Sequence, residues 1–481
     1  MPHDVPALLR AVLDEPEDIA ARRVYADALL AEGDPRGELI QVQCDLADCT
    51  PSDPRWAPLL AREGELLAEH GTKWTAPYKS FLFRPQFQRG MIEAAFVNGK
   101  KFAPAADALL EREPVTSLGM RQLTQANAAV LGARPELRRL HTLRVTESKL
   151  GSRGAKALLG EHLVKLRALN LYQSGLDDAG LAHLGATLFP QLERLNLSGT
   201  RITYTALKQL LRDPRLTRLG YLHLMWLQTG RGGAEHLAEH LALPALTHLD
   251  LGASHYQNGD LRTLAQNATF RKLRGLRLEQ NDLAGADAIE ALAPLTQLEA
   301  LDLSTNQIGL DGVTALAAWQ PPRLRVLRLY QCGIGDEHLL ALARATFPLK
   351  RLDLGYGSVR APGLEAIGRA AWPLEHLELW ANKIGDDGAR ALAGASFTRS
   401  LRELVLGFNE IGNAGAAALA AGTWPRLERI VFRGDPIGDA GARALAASTT
   451  MPALRSLVFE NMSTPKAALA PLRKRGVSLE M

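Results

Sequence analysis

LEALDLSTNQI, at residues 298–308, contains the pattern on which the fold of this chain depends. The phrase L-x-x-L-x-L-x-x-(N/S/C)-x-(L/I/V) recurs thirteen times at a spacing of 25 to 27 residues. Its central apolar position holds, in turn, Leu143, Leu169, Leu195, Leu222, Leu249, Leu276, Leu301, Leu327, Leu352, Leu377, Leu404, Ile430 and Leu457. A fixed period of this length indicates stacked supersecondary units, because a single unit cannot bury its apolar face alone.

Each copy of the phrase predicts a short strand followed by a helix. The L-x-L core alternates with period two, so its leucines point inward and the residues between them point to the opposite face. Segments such as IGDDGARALAGASF (from Ile384) and IGNAGAAALAAGTW (from Ile411) follow the strands. In these segments Gly opens the turn, an Asp or Asn can cap the helix, and Ala with Leu recurs at helical spacing.

This repeat resembles the leucine-rich-repeat family, and a strand plus a helix in every unit resembles its ribonuclease-inhibitor-like subclass. The resemblance runs from about Val115 to the C-terminus. It implies a right-handed α/β solenoid, with a curved parallel sheet on the concave face and helices on the convex face. It also implies a polar ladder that bonds the backbone of the turn after each strand. The ladder positions hold Ser148, Ser174, Thr200, Ser254, Asn281, Asn306, Cys332, Asn382 and Asn409, whereas Leu227, Gly357 and Asp435 depart from the pattern.

A column of aromatic residues lies just before the strands. Its members are Phe189, Phe270, Trp319, Phe347, Trp372, Phe397 and Trp424. Aromatic side chains at one position of a repeat normally stack into the continuous core. We therefore predict a buried spine under the return from helix to strand, rather than a binding strip.

The first 85 residues do not repeat. They predict short helices at Val5–Leu13, Ile19–Ala31, Gly37–Ala47, Trp56–Glu69 and Lys73–Phe81, with Asp4 as a cap. The stretch RRVYADALLAEGDPRGELIQVQCDL (from Arg22) resembles the bacterial repeat-companion domain, a small helical module found beside leucine-rich repeats. No activity comes with that resemblance. We predict a helical capping domain at 1–85 and a repeat solenoid at 86–481, with degenerate N-terminal units and a C-terminal cap from Pro465.

Composition favours a cytoplasmic protein without a cofactor, and the resemblance to the repeat-companion domain implies a bacterial one. The three cysteines, Cys44, Cys49 and Cys332, lack the spacing of metal ligands, and no apolar run reaches the roughly 20 residues of a membrane span. The N-terminus is acidic and lacks the basic start of a signal peptide. Residues 1–85 carry 9 Lys/Arg against 15 Asp/Glu, a net charge of −6, and the remainder carries 47 against 37. Because no Lys/Arg run occurs, we expect no binding of nucleic acid. We also expect a monomer.

One catalytic motif remains open as an alternative. The segment from His236 to His240 matches H-x-x-E-H, in which two histidines on one helix face could bind zinc and Glu239 could act as a base. The same segment aligns with the helix of its repeat, with Leu237 and Leu241 at core positions, and the sequence shows no third ligand. We therefore interpret it as a repeat helix, and a zinc metallohydrolase is a remote alternative.

The remaining functional signal lies on the strand face, where the repeat itself does not require large side chains. The candidate partner-binding residues are Tyr172, Met225, Trp226, Arg277, Asp302, Arg328, Tyr330, Asp353, Tyr356, Glu378, Trp380 and Phe408. Aromatic residues and arginine amid polar neighbours are typical of protein-binding hot spots. We predict a non-enzymatic scaffold or adaptor that binds a protein on this face, with Trp380 and the charged residues exposed to solvent. Similarity of the repeat subclass to Ran GTPase-activating proteins leaves a regulator of a small GTPase as the alternative.

Overall fold

The computed structural model describes residues 4–50, 53–160, 163–186, 190–227, 232–460 and 466–480. It forms two compact units, one of Met1–Thr229 with Ala242–Ala245, the other of Gly230–Leu241 with Leu246–Met481. Phe189 of the aromatic column and the predicted start of the C-terminal cap at Pro465 lie outside the described residues.

The first unit begins with helices α1 (Val5–Asp14), α2 (Ile19–Ala31), α3 (Arg36–Ala47) and α4 (Trp56–Thr75), followed by a 3-10 turn at Ala76–Tyr78. The first three helices are confirmed, and Asp4 caps α1 by accepting the N–H of Ala7 at 3.0 Å. The predicted break between the fourth and fifth helices is wrong, because α4 continues through Gly71. Trp74 packs against the core cluster that contains Leu66, and this packing outweighs the roughly 1 kcal/mol cost of a helical glycine.

Buried ion pairs join these helices to the strand β2 (Met91–Asn98). The buried carboxylate of Glu93 forms an ion pair with Arg22 at 2.8 Å and also pairs with Arg89. Glu113 accepts from Arg36 at 2.7 Å and from the backbone N–H of a β2 residue at 2.9 Å. An unpaired charge at a buried site is strongly destabilising, so these pairs specify how the helices pack on the strand.

The repeats of the first unit follow. Strand β1 (Gln86–Gln88) pairs antiparallel with β2, and β2 is followed by parallel neighbours β3 (Ser117–Arg121), β4 (Thr142–Thr146), β5 (Ala168–Asn170), β6 (Arg194–Asn196) and β7 (Tyr221–His223). The helices are α5 (Gly99–Phe102), α6 (Ala106–Leu110), α7 (Gln125–Gly132), α8 (Gly151–Leu158), α9 (Asp178–Ala186) and α10 (Tyr204–Leu211).

The second unit repeats the same alternation of strand and helix. Its parallel strands are β8 (His248–Asp250), β9 (Gly275–Arg277), β10 (Ala300–Asp302), β11 (Val326–Arg328), β12 (Arg351–Asp353), β13 (His376–Glu378), β14 (Glu403–Val405), β15 (Arg429–Arg433), β16 (Ser456–Glu460) and β17 (Ser478–Glu480). Its helices are α11 (Gly233–His240), α12 (Asn258–Leu264), α13 (Gly285–Leu292), α14 (Gly309–Trp319), α15 (Asp336–Leu342), α16 (Ala361–Gly368), α17 (Gly385–Ala393), α18 (Asn413–Ala421), α19 (Asp439–Ala447) and α20 (Ala470–Lys474).

The strand register confirms the repeat pattern read from the sequence. Leu301 pairs with Leu276 on one side and Leu327 on the other, so equivalent leucines stand in line and are buried. The predicted fold class, a leucine-rich-repeat solenoid with a small helical N-terminal region, is confirmed. None of the helices in the described residues is long and apolar enough to cross a membrane.

The polar ladder of the second unit satisfies the buried turn backbone. The side-chain amide of Asn306 donates to the carbonyls of Leu278 and Leu303 at 2.8 and 2.9 Å. Its oxygen accepts the N–H groups of Asn281 and Leu283, both at 3.2 Å. Each asparagine therefore bonds its own turn and the preceding one, which confirms the role expected of the ladder.

Asp435 also belongs to this ladder, so the expectation that it departs from the pattern is wrong. Its carboxylate is buried and accepts the N–H groups of Asn409 and Ile411 at 2.9 and 3.1 Å. Unlike asparagine, a carboxylate cannot donate to the turn carbonyls. Burial raises the pKa of Asp435 to about 6, although the same hydrogen bonds act to lower it.

Helix caps in the second unit cross from one repeat to the next, whereas the sequence suggested caps within each helix. Asp386, in the first turn of α17, accepts the N–H groups of Gly412 and Gly415 at 2.7 and 2.8 Å, at the start of α18. Asn413 of α18 does the same for the start of α19. The caps therefore tie adjacent repeats together as well as completing each helix.

The aromatic spine is confirmed in most repeats. Phe270, Phe347, Trp372, Phe397 and Trp424 are buried. The indole N–H of Trp372 donates to a backbone carbonyl at 3.0 Å, and its ring stacks on Phe347 with centroids 6.2 Å apart. Trp319 is the exception, since it ends α14 and is only half-buried.

We expect Asp386→Ala to lower the free energy of unfolding by about 1–2 kcal/mol, because two N–H groups at the start of α18 lose their acceptor. Asp387→Ala is a matched control, since that carboxylate is exposed and pairs with Arg390 on its own helix. It should change stability by less than about 0.5 kcal/mol. Urea denaturation followed by circular dichroism compares the two, and equal losses would contradict a cap between repeats.

Asp435→Asn should stabilise the chain by about 1–3 kcal/mol at pH 7, since it removes a buried charge and restores the amide donor. The folded-state pKa of about 6 lies above the ordinary value of 3.8. The folded state therefore binds more protons between these values, and wild-type stability falls as the pH rises through that window. The gain from asparagine should shrink towards pH 4 in denaturant titrations. An equal gain across the pH range would show that this carboxyl does not titrate there.

Candidate functional site

The predicted site residues are divided between the two units. Tyr172, Met225 and Trp226 belong to the first unit, and the other nine belong to the second. Tyr172 and Met225 are half-buried, whereas 52% of the surface of Trp226 is exposed. The larger set in the second unit is the one whose members meet one another.

Four aromatic side chains of the second unit form two edge-to-face pairs on the strand side. The ring centroids of Tyr330 and Tyr356 are 5.2 Å apart, and those of Trp380 and Phe408 are 5.0 Å apart. The backbone N–H of Tyr356 donates to the carbonyl of Trp380 at 2.7 Å, so the two pairs stand on neighbouring repeats. We call these four residues the aromatic band.

Glycines of the following repeat hold three of these rings against the sheet. The pairs are Tyr330 over Gly355 (2.9 Å), Trp380 over Gly407 (2.6 Å) and Phe408 over Gly434 (2.5 Å), measured from the ring to the position that a glycine Cβ would occupy. These distances are too short for a real Cβ, so any larger residue would displace the ring. The rings are thus positioned before any partner binds, which reduces the entropy lost on binding. Sequence reasoning missed the glycines, although a Gly beside a large residue one repeat earlier was a readable signal.

Two members of the aromatic band lie in the turn after the strand rather than on the strand itself. Tyr356 and Phe408 follow β12 and β14 and have left-handed backbone, with φ of 56° and 59°. They are 49% and 44% exposed. The same conformation occurs at this position in other repeats, for example at Gln280, Thr305 and Gln331, so it belongs to the turn of the repeat.

The expectation that Asp302 and Asp353 face solvent is wrong. They are only 3% and 9% exposed. Their carboxylates accept the backbone N–H groups of Ser304 and Gly355, both at 3.1 Å, and so close the turn that follows the strand. Burial raises the pKa of Asp353 to about 6. Short acidic side chains at this position therefore serve their own backbone rather than a partner.

The predicted positive charges are largely compensated within the sheet. Arg277 pairs with Glu279 at 2.8 Å and with Asp250 at 3.4 Å. Its guanidinium and that of Arg328 both lie near Asp302, at 3.5 and 3.7 Å. The remaining chemistry that this surface offers is therefore mainly aromatic.

Charged neighbours nevertheless border the aromatic band. Glu378 pairs with Arg351 of the preceding strand. Arg433, which was not among the predicted residues, lies over the ring of Trp380 at 5.7 Å from its centroid. Because of this contact and that with Phe408, Trp380 is half-buried rather than freely exposed as expected.

The H-x-x-E-H segment is a repeat helix in the structure. His236 is exposed and His240 is buried, with ring centroids 6.1 Å apart, while Leu237 and Leu241 pack in the core. Among the described residues, no group of three or more His, Cys, Asp or Glu side chains could hold a metal ion. No observation in the structure favours the metallohydrolase alternative.

A family model described as Leucine Rich repeat matches residues 295–317, 373–393 and 399–420. The ribonuclease inhibitor of Mus musculus is 30% identical over 216 residues, which cover 41% of this chain and 47% of that protein. The ribonuclease inhibitor of Sus scrofa is 30% identical over 257 residues, covering 50% and 51%. Protein PAC2 of Saccharomyces cerevisiae is 28% identical over 122 residues, covering 25% and 23%.

Solved structures with a similar arrangement include an internalin from Listeria monocytogenes and the Rad7–Elc1 complex of yeast. The internalin has a TM-score of 0.43 at 20% identity and covers 79% of this chain and 94% of its own. The Rad7–Elc1 structure has a TM-score of 0.43 at 16% identity, covering 79% and 86%.

The chain has the leucine-rich-repeat fold, and ribonuclease inhibitors are among its sequence relatives. It spans about half the length of the two ribonuclease inhibitors that it matches and about a quarter of PAC2. The assignment of its N-terminal helices to the bacterial repeat-companion domain, the domain boundary at residue 85 and the cytoplasmic location stay predictions.

The two tryptophan environments predict different losses of stability. Trp372→Ala should lower the free energy of unfolding by about 3–5 kcal/mol, as a truncation in the core. Trp380→Ala should cost only about 1–2 kcal/mol, since it removes an edge-to-face contact and a cation–π contact at a half-buried site. Urea denaturation of both variants measures the difference. A loss at Trp380 as large as that at Trp372 would place the aromatic band in the core.

Proposed function

We propose that this chain is a non-enzymatic scaffold that binds a protein partner through the aromatic band of its second unit. The observation that supports this proposal is the band itself, in which large side chains are held in place and yet stay partly exposed. Aromatic anchors within a border of charged and polar groups are typical of protein interfaces. The repeat pattern itself does not require Trp or Tyr at these positions.

The geometry favours a macromolecule over a small metabolite. Metabolite sites enclose most of their ligand, whereas Tyr356 and Phe408 leave about half of their surface open. Tyr and Trp also offer a large contact area at a small cost in conformational entropy. The ion pairs of Arg277 and Arg328 with acidic neighbours reduce the positive electrostatic potential of this surface. An apolar protrusion of a folded protein therefore fits it better than a strongly charged ligand.

The sequence relatives support the same class of partner. Two of them are, by name, inhibitors of ribonuclease, which is itself a protein. A GTPase regulator stays the alternative, because no described residue distinguishes it from a scaffold.

Trp380→Ala should weaken partner binding about 30-fold or more, equivalent to about 2 kcal/mol, the range of hot-spot residues. Quantitative affinity capture with the intact chain first identifies a protein retained by wild type and lost by this variant. Isothermal titration calorimetry with the purified protein then gives Kd. Leu340→Ala is the matched control, since Leu340 is 53% exposed but lies on helix α15.

Gly407→Ala provides a second variant that keeps the tryptophan. The added methyl would enter the space of the Trp380 ring, so the ring should shift and Kd should weaken while the core stays intact. If both variants bind like wild type and Leu340→Ala does not, the partner binds on the helix side and the proposal fails.

A further inference from the structure

A groove of about 710 Å³ opens on the strand side of the first unit, along β2, β3 and β4. Its lining includes two phenylalanines, Phe83 and Phe96, and three arginines, Arg84, Arg121 and Arg144. No aspartate or glutamate is among the lining residues. The groove lies in the repeats before and at the start of the regular pattern, where the sequence predicted no site.

The apolar part of the groove has the same construction as the aromatic band. A Cβ at Gly119 would lie 2.5 Å from the Phe96 ring, so this glycine allows the ring to lie against the next strand. The guanidinium of Arg121 covers Phe96 at 5.4 Å from its centroid. Phe83 is 59% exposed. Phe83 is thus open to an apolar side chain, and the half-buried ring of Phe96 lines the same groove.

The polar part of the groove carries uncompensated positive charge. The exposed side chains of Arg84 and Arg144 make no hydrogen bond or ion pair within the described part of the chain. Arg121 has an acidic neighbour, Glu147, at 3.4 Å. The guanidinium groups of Arg84 and Arg144 therefore remain able to bind carboxylates, for which the fork of Arg donors is suited.

We propose that this groove is a second binding surface, which takes an extended acidic segment of a partner protein. Carboxylates of the segment pair with Arg84 and Arg144, and an apolar side chain between them packs on Phe83 and Phe96. The side-chain amide of Asn98, which lines the same groove, can bond the peptide backbone.

A protein segment fits this groove better than a nucleic acid. Bases can stack on aromatic rings, but binding of a long polyanion depends on many phosphate contacts. The lining offers only three arginines, and one of them, Arg121, already has Glu147 at 3.4 Å. A short acidic segment needs only the few arginines present. This proposal is independent of the aromatic band, which lies in the other unit.

Selection of random peptides displayed on phage against the immobilised full chain tests the inference. The expected peptides have a net negative charge and contain an aromatic or large aliphatic residue. Fluorescence anisotropy with the best peptide should show at least about tenfold weaker binding by Arg84→Glu/Arg144→Glu, and weaker binding at high salt. Phe83→Ser should also weaken binding while leaving the charge unchanged.

Two controls separate this surface from other effects. Arg153→Glu/Lys156→Glu makes the same change of charge on two exposed residues of α8 and should leave peptide binding unchanged. Trp380→Ala should also leave peptide binding unchanged. The test of the groove therefore gives its result independently of whether the aromatic band binds a partner. Selection that yields no acidic peptides, or undiminished binding by the charge-reversed chain, overturns the proposal. Tighter binding of single-stranded DNA, lost with the same arginines, would assign the groove to nucleic acid instead.

Discussion

The buried backbone between each strand and its helix must be hydrogen-bonded, and most features of this chain follow from that requirement. Backbone N–H and carbonyl groups without partners are costly inside a protein. The side chain of Asn306 bonds five of them: its amide donates to three carbonyls of its own and the preceding turn, and its oxygen accepts two N–H groups. The caps from Asp386 and Asn413 extend the same principle to the helices. Neighbouring repeats are therefore joined by polar bonds as well as by leucines.

The same turns determine what the strand face presents. Since the residue before the ladder position has left-handed backbone in many repeats, its side chain lies outside the core and is not constrained by packing. Tyr356 and Phe408 occupy this position, and Gly434 of the next repeat leaves room for the Phe408 ring. Phe96 and Gly119 have the same relation in the first unit. A glycine that allows close packing between neighbouring strands therefore also positions an aromatic side chain for binding.

The periodicity was sufficient to predict the strands, the helices, the ladder and most of the aromatic spine, because these depend on contacts that repeat in every unit. Features that depend on a single contact were not predictable. Asp302 and Asp353 are short enough to reach their own backbone, and Asp386 reaches the next helix rather than its own. Arg433 is recognisable only once its place over Trp380 is known. Phe83, Phe96 and Arg121 of the groove lie before the first regular repeat, so the repeat pattern gave no equivalent positions with which to compare them.

The most direct test of the proposed binding surface is photo-cross-linking from a single position in the full chain bound to its partner. The photoreactive residue p-benzoylphenylalanine replaces either Tyr356, in the aromatic band, or Leu340, on the helix side. Both positions are about half exposed, so they differ mainly in the face on which they lie. A covalent adduct with the partner from position 356 and none from position 340 is the predicted result. An adduct from position 340 alone would contradict binding through the aromatic band.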